Sequence, residues 1–559
     1  MTRHLLTSAA SSASASASAS SSSSTSSLLA AARAVLDASS RSVPISQRRS
    51  YRSYIRSRAP SGSGSARIPL GTSVFGQLTS RGERPYQEDT SSSSCLQLPS
   101  TELRASLRAS GRISTEAERR WHWPSEGESL DEELAGQVGW WGVFDGHGGD
   151  YASRYLAMYL HQVFEKVTPD MVTDTVQFTR EHGGYFRRFE GGTALKRWVR
   201  LEELKPVRGG AAGKKRATNG HEAGKEGEAS SSAATTSQQN PQAHADDSPA
   251  TGPAPAAATS KSKSQPTPDW QDNGLTRLVP PPDNMKNDAL TLAERATLAF
   301  LVADRHILTR HAQPGAELAQ SNTPQRRRGI QTGDAHSTTS SPGKDRARAA
   351  KNGGGSTASV LTLHSLDSPP VVWYDSSLLQ LSIYHVGDTR ALLCPTVDGQ
   401  AIPLTTHHHP DAPSESERLR RLGAGVVTDS FGEARWMGAL ANTRALGDGH
   451  FKAAGVTAEP EVLSQVIRGE KYSHVTLFSD GISSVMSDQE VVDLARGAGH
   501  PQEAARRILK FAEELGVEDN ATVLVVPLLG WGKIGGTDTT AKQREFRKSK
   551  TDVFRDNRH

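Results

Sequence analysis

Residues 142–149 read GVFDGHGG: an apolar run that ends in an acid, followed by a histidine set among three glycines. The stretch Gly139–Phe144 (GWWGVF) has the length and the Val and aromatic content of a short strand. Asp145-Gly146 after it is an ordinary turn dipeptide. A turn accounts for that pair but leaves His147 and Gly148-Gly149 unexplained. Glycine beside an acid lets a ligand approach the backbone closely, so the stretch is read as a strand end that presents a site.

Other strand-like runs recur at 359–363, 378–386, 475–478 and 521–528. Asp398-Gly399 lies between 391–397 and 401–404 and reads as a hairpin turn. Helical periodicity marks 151–167, 289–308, 488–495 and 502–515. The strands are not followed one by one by helices, which argues against a doubly wound parallel sheet. The expected fold is α+β, with antiparallel sheets flanked by helices.

Carboxylates gather at the ends of these strands. Glu88-Asp89 closes RGERPYQED, Asp145 ends GVFD, and Asp388 sits in VGDTR. Asp448 follows in ALGD, Asp480 in FSDG and Asp519 in VEDN. Any one of these acids is most simply a turn cap. Together, without cysteine ligands, they point to a hard, oxygen-binding cation such as Mg or Mn.

In this context the chain resembles the metal-dependent Ser/Thr protein phosphatases of the 2C family. The matching segments run colinearly from about residue 71 to 530: RPYQED (84–89), VFDGHGG (143–149), GGSTA (354–358), VGDTRALL (386–393), HHHP with RLRRLGAGVV (407–427), LANTRALGD (440–448), AEPEV (458–462), FSDGISSVM (478–486) and EDNATVLVV (518–526). The wording is most similar to the fungal mitochondrial branch. The resemblance implies a sandwich of two antiparallel sheets with helix pairs outside and two Mg or Mn ions in the cleft between them. It implies that Asp145 bridges both ions and that Asp480 and Asp519 complete one site. Glu88 and the Gly146 carbonyl would help hold the other, with Asp89 supporting through water. Arg84 would orient the phosphate, and His147 would protonate the departing Ser or Thr oxygen. Water activated between the ions would attack phosphorus directly, with no phosphoenzyme. Asp388 would hold a third, weaker ion or shape its turn, and Ser484 stands where many members carry an Asp. His407-His408-His409 tempts a metal reading, but three consecutive side chains diverge, and the family begins its flap there.

Rival phosphatase classes lack their motifs. Thr101 and Gln400 stand six residues after Cys95 and Cys394, so there is no C-x5-R, and neither GDxHG nor GNHE occurs. The alternative of another class is a catalytically silent family member acting as a binding module. The retained ligands Glu88, Asp145, Asp480 and Asp519 argue for an enzyme.

Composition divides the rest of the chain. Residues 1–70 hold nine Arg, no Lys and one acid among Ser and Ala, the bias of a mitochondrial transit peptide. Leu28, Leu29, Ala32, Val35 and Leu36 could line one face of a short helix there. The 62 positions 208–269 contain no large apolar residue, and 311–354 has only Leu318 and Ile330 as large aliphatics. Both are expected to be disordered inserts in a catalytic domain spanning 71–530. Residues 531–559 read as a polar, basic tail. No run approaches the ~20 apolar residues of a membrane helix. The net charge of +4 demands no nucleic acid. Cys95 and Cys394 are expected as free thiols, and the protein as a monomer in the mitochondrial matrix or intermembrane space, less plausibly the cytosol. Its partners are expected to be phosphorylated proteins, with a 2-oxo-acid dehydrogenase subunit as the first guess.

Overall fold

A computed structural model describes residues 53–58, 65–109, 133–207, 289–311, 354–367, 369–420, 426–428, 434–436, 438 and 440–556. Nearly all of the expected transit peptide and of the inserts at 208–269 and 311–354 lies outside these residues.

The GVFD run lies at the end of β5 (Gln137–Phe144), in which every residue is buried. Its alternation explains the continuous apolar sequence. Trp140 and Phe144 face helices, while Trp141 and Val143 face a second sheet. A strand covered on both faces needs apolar side chains on both. The strand pairs with β4 (Thr90–Gln97) on one side and β8 (Ala358–Ser365) on the other, with Trp141 opposite Ser93 and Leu361. Adding β9 (Leu378–Val386) and β13 (Glu461–Arg468) gives a five-stranded antiparallel sheet in the order β13–β9–β8–β5–β4.

The second sheet runs β11–β10–β14–β15–β3, also antiparallel. Its strands are β3 (Gly76–Ser80), β10 (Arg390–Pro395), β11 (Ile402–Pro403), β14 (Tyr472–Phe478) and β15 (Ala521–Pro527). Between the sheets lies an apolar layer that includes Trp141, Leu361, Ile383, Leu393, Leu477 and Leu524. Helices α2 (Tyr151–Lys166) and α4 (Leu292–His311) pack on the first sheet, and α8 (Asp488–Ala495) and α9 (Pro501–Glu514) cover the second. The architecture is therefore the α+β sandwich of antiparallel sheets that the sequence predicts. Among the described residues no helix is long and apolar enough to cross a membrane. Cys95 and Cys394 are buried and form no disulfide.

Two boundaries differ from expectation. Within the stretch assigned to the leader, β1 (Tyr54–Arg58) and β2 (Ser65–Pro69) form a hairpin. Ile55 enters the inter-sheet core at 5% exposure, and the Arg56 amide donates to Gln137 Oε1 at 2.7 Å. The arginines that make this segment leader-like are compatible with a docked ribbon, because alternate residues of a strand face away from the core. The expected polar tail likewise contains helix α10 (Ala541–Asp556). Arg547 pairs there with the buried Glu490 of α8 at 2.9 Å. Strand β4 is not among the strand-like runs read from the sequence, yet the four serines of TSSSSCLQ lie at the sheet edge opposite β5.

Candidate active site

The cleft residues sit where strands end. Asp145 follows β5, and its carbonyl accepts from the Thr357 amide at 2.9 Å. Asp480 opens the short helix α7 (Asp480–Ser483) directly after β14, and Asp388 lies in the turn between β9 and β10. Carboxylate oxygens of Asp145, Asp388 and Asp480 all come within 4.8 Å of one another. Asp388, left between a third-ion and a structural role by the sequence, thus stands with the two core acids.

Glu88, Asp89 and Asp519 surround this triad without belonging to it. Glu88 and Asp89 are buried. The Glu88 amide donates to Asn520 Oδ1 at 2.7 Å, and Glu88 Oε1 accepts from the Gly149 amide. Asp89 Oδ2 accepts from Ser479 Oγ at 2.6 Å. Asp519 pairs with the half-exposed Arg84 at 2.6 Å. Gly146 is needed for space: a Cβ there would stand 2.6 Å from the Glu88 carbonyl oxygen and 2.8 Å from Ser153 Oγ.

Crowded acids resist ionisation. Burial, then the neighbouring Asp480, Asp89 and Asp388, pushes Asp145 well above the carboxylate range. Burial and Asp388 push Asp480 to about 7, and burial pushes Asp89 to about 6. Glu88 is raised as well, chiefly by burial. Asp89 Oδ1 and Asp388 Oδ1 are buried with no hydrogen-bond partner. Oxygen-only donors, mutual repulsion and orphaned carboxylate oxygens together fit divalent cations such as Mg or Mn.

His147 lies in β6 (Gly146–His147), the edge of a small ribbon with β7 (Gly355–Ser356) and β12 (Leu446–Gly447). The ribbon brings Asp448 to His147, whose Nε2 is 2.9 Å from both carboxylate oxygens. Burial disfavours the imidazolium, but Asp448, with Asp388 and Glu88, outweighs it and raises His147 to about 9. Asp448 is the member of this arrangement to which the sequence reading gave no role. It was noted there only as an acid at a strand end, and nothing local announces a partner 301 positions away.

The three consecutive histidines diverge, as their adjacency predicts. His407 contacts Arg390, His408 Nδ1 accepts from the Gly387 amide, and His409 faces Asp411. Ser484 Oγ donates to the Gly481 carbonyl at 2.9 Å.

The protein phosphatase 2C family model matches residues 296–521, which include Asp388, Asp448, Asp480 and Asp519. Over that region the chain is similar to the protein phosphatase 2C family. It is similar to "Protein phosphatase 2C homolog 4" of Schizosaccharomyces pombe, 44% identical over 173 residues, which is 31% of this chain and 45% of the relative. It is also similar to "Protein phosphatase 1K, mitochondrial" of Xenopus laevis, 37% identical over 155 residues, 28% of this chain and 41% of the relative. The matches thus span less than half the length of either relative. A crystal structure of a Toxoplasma gondii phosphatase aligns with 82% of this chain and 95% of its own at a TM-score of 0.38 and 16% identity.

Proposed function

We propose that this chain is a metal-dependent protein serine/threonine phosphatase of the 2C family that removes phosphate from phosphoserine and phosphothreonine. The observation that carries the reading is the convergence of Asp145, Asp388 and Asp480 beside a His147–Asp448 pair. Two divalent ions, held by Asp145, Asp480, Asp519, Glu88 and the Gly146 carbonyl with support from Asp89, would neutralise phosphate charge and activate water. The protein's own groups do the rest. Arg84 is half-exposed, and its planar guanidinium suits paired hydrogen bonds to phosphate oxygens. Asp448 keeps His147 protonated and aimed, so that the ring can donate to the leaving alkoxide.

Four ligating carboxylates (Glu88, Asp145, Asp480, Asp519) would balance two divalent ions, which supports an active enzyme over a silent binding module. The Arg-rich start and the relative named as mitochondrial support a mitochondrial location. Phosphorylated matrix proteins, a 2-oxo-acid dehydrogenase subunit among them, are the substrates to screen first. The full chain should hydrolyse a phosphothreonine peptide with added Mg or Mn, stop on chelation, and lose turnover in Asp145→Asn. Wild-type activity in Asp145→Asn would overturn the assignment.

A further inference from the structure

Asp448 holds a backbone conformation that no other non-glycine residue adopts among the described residues, φ 50° and ψ 44°. The left-handed region costs an L-residue about 1–2 kcal/mol, and Asp pays less of it than most. The neighbours leave little choice. A Cβ on Gly355 would stand 2.5 Å from Asp448 Oδ2, so the carboxylate lies directly against that glycine. Something must hold the turn in this shape.

The holding groups come from outside the cleft. Asp304 lies on α4, in the otherwise apolar run AFLVAD, and is buried. Its Oδ1 accepts from the Gly447 amide at 2.7 Å, immediately before Asp448. The same oxygen is 3.0 Å from Lys452 Nζ, on the short helix α6 (Gly449–Lys452) immediately after Asp448. Lys452 Nζ also donates to the Ala445 carbonyl at 2.8 Å, closing the loop across its base. Asp304 and Lys452 are 7% and 2% exposed, so this is a buried ion pair. Burial raises Asp304, and the Lys452 ammonium and the Gly447 amide work against that rise.

We infer that the buried Asp304–Lys452 pair is a positioning device for proton donation, fixing the 445–452 loop so that Asp448 meets His147. A pair that served only to fasten α4 to the sheet would need no bond to Gly447, the residue preceding the strained one. Here one carboxylate oxygen holds the backbone before Asp448 and the side chain after it. Asp304 and Lys452 touch no reacting atom; they act through Asp448 and then His147.

The inference rests on the phosphatase reading, and the test separates the two. The full chain is assayed with Mn on a phosphothreonine peptide, whose alkoxide leaves poorly, and on p-nitrophenyl phosphate, whose phenolate needs little protonation. His147→Ala should lose about 100-fold or more on the peptide and far less on the aryl ester. Asp304→Asn keeps an acceptor for Gly447 and removes the charge, and Lys452→Met removes its partner. Each should lower kcat on the peptide by about 10- to 100-fold, the usual cost of removing a group that orients a ligand. Turnover of the aryl ester, peptide KM and the Mn midpoint should stay within about threefold of wild type, below that range. If a single variant fails to fold because it strands a buried charge, the double variant Asp304→Leu with Lys452→Met removes both charges and should show the same split. Equal losses on both substrates, or none on either, would overturn the positioning role while leaving the phosphatase reading intact. A wild-type chain inactive on both substrates would overturn that reading and this inference with it.

Discussion

Replacing Arg547 with methionine measures how firmly the C-terminal helix is part of the domain. The Arg547 guanidinium reaches both Glu490 oxygens at 2.9 Å and also donates to the Val485 carbonyl. Glu490 is 1% exposed and Arg547 32%. Glu490 also closes the capping box of α8, accepting from the Ser487 amide at 2.9 Å and from Ser487 Oγ at 3.1 Å. Methionine keeps most of the aliphatic packing but strips Glu490 Oε1 of its donor. Breaking a fully buried pair costs about 3–5 kcal/mol. Solvent reaches the vacated arginine site and Ser487 still holds Oε2, so the loss should be nearer 2 kcal/mol. Urea unfolding should show a lower midpoint with unchanged slope. Lys548→Met is the control. Its partner Glu514 is 3.0 Å away, but the lysine is half-exposed, so its loss should stay below about 0.5 kcal/mol. Combining Arg547→Met with Glu490→Gln should cost less than the sum of the two, since both remove one interaction. An Arg547→Met protein as stable as wild type, or no less stable than Lys548→Met, would show that α10 rests on the surface without clamping α8.

A chain starting at residue 71 should unfold at lower urea than one starting at residue 51, by about 3 kcal/mol, because it loses the buried Ile55 and the Arg56–Gln137 bond; identical midpoints would return the hairpin to the leader. Burial holds His161, His364 and His474 at about 4, below the ordinary 6.5. They stay neutral in the fold and charge in the unfolded chain, so stability is complete above about pH 6.5 and is lost as pH falls towards about 4. Because the raised Asp89 and Asp480 act in the opposite sense over the same range, the test is the difference between wild type and His474→Gln in melting from pH 7.5 to 5: the wild type should lose more on acidification, and a difference that does not change with pH contradicts the sign. Ser484→Asp adds a carboxylate one helical turn after Asp480 and should tighten any weak extra Mn site in calorimetry. Unchanged binding would show that the Ser484 position does not face the ions.

What could be read from the sequence was the chemistry carried by short stretches. GVFDGHGG shows a two-faced strand, its turn and a histidine because all three are set by residues within eight positions. Strand β4 was lost because its signal is half polar: Ser91, Ser92 and Ser93 are only partly buried at an edge, where composition and loop look alike. The hairpin at 54–69 and helix α10 were lost for a related reason. The hairpin is held by a single buried apolar residue, Ile55, and by Arg56, which pairs with Glu133, and α10 by Arg547; an arginine whose partner is a buried acid such as Glu490 has the same letter as one in solvent. Asp448 is the hardest case. Its acid–glycine wording was visible, but its role depends on a ribbon that joins residues 146–147, 355–356 and 446–447. No window along the chain contains that ribbon, and neither does any window hold Asp304 together with Lys452. Motif and composition therefore reach the groups proposed to touch substrate and metal. The groups that aim them are specified by strand pairing and buried charge, and they become legible only when the chain is folded.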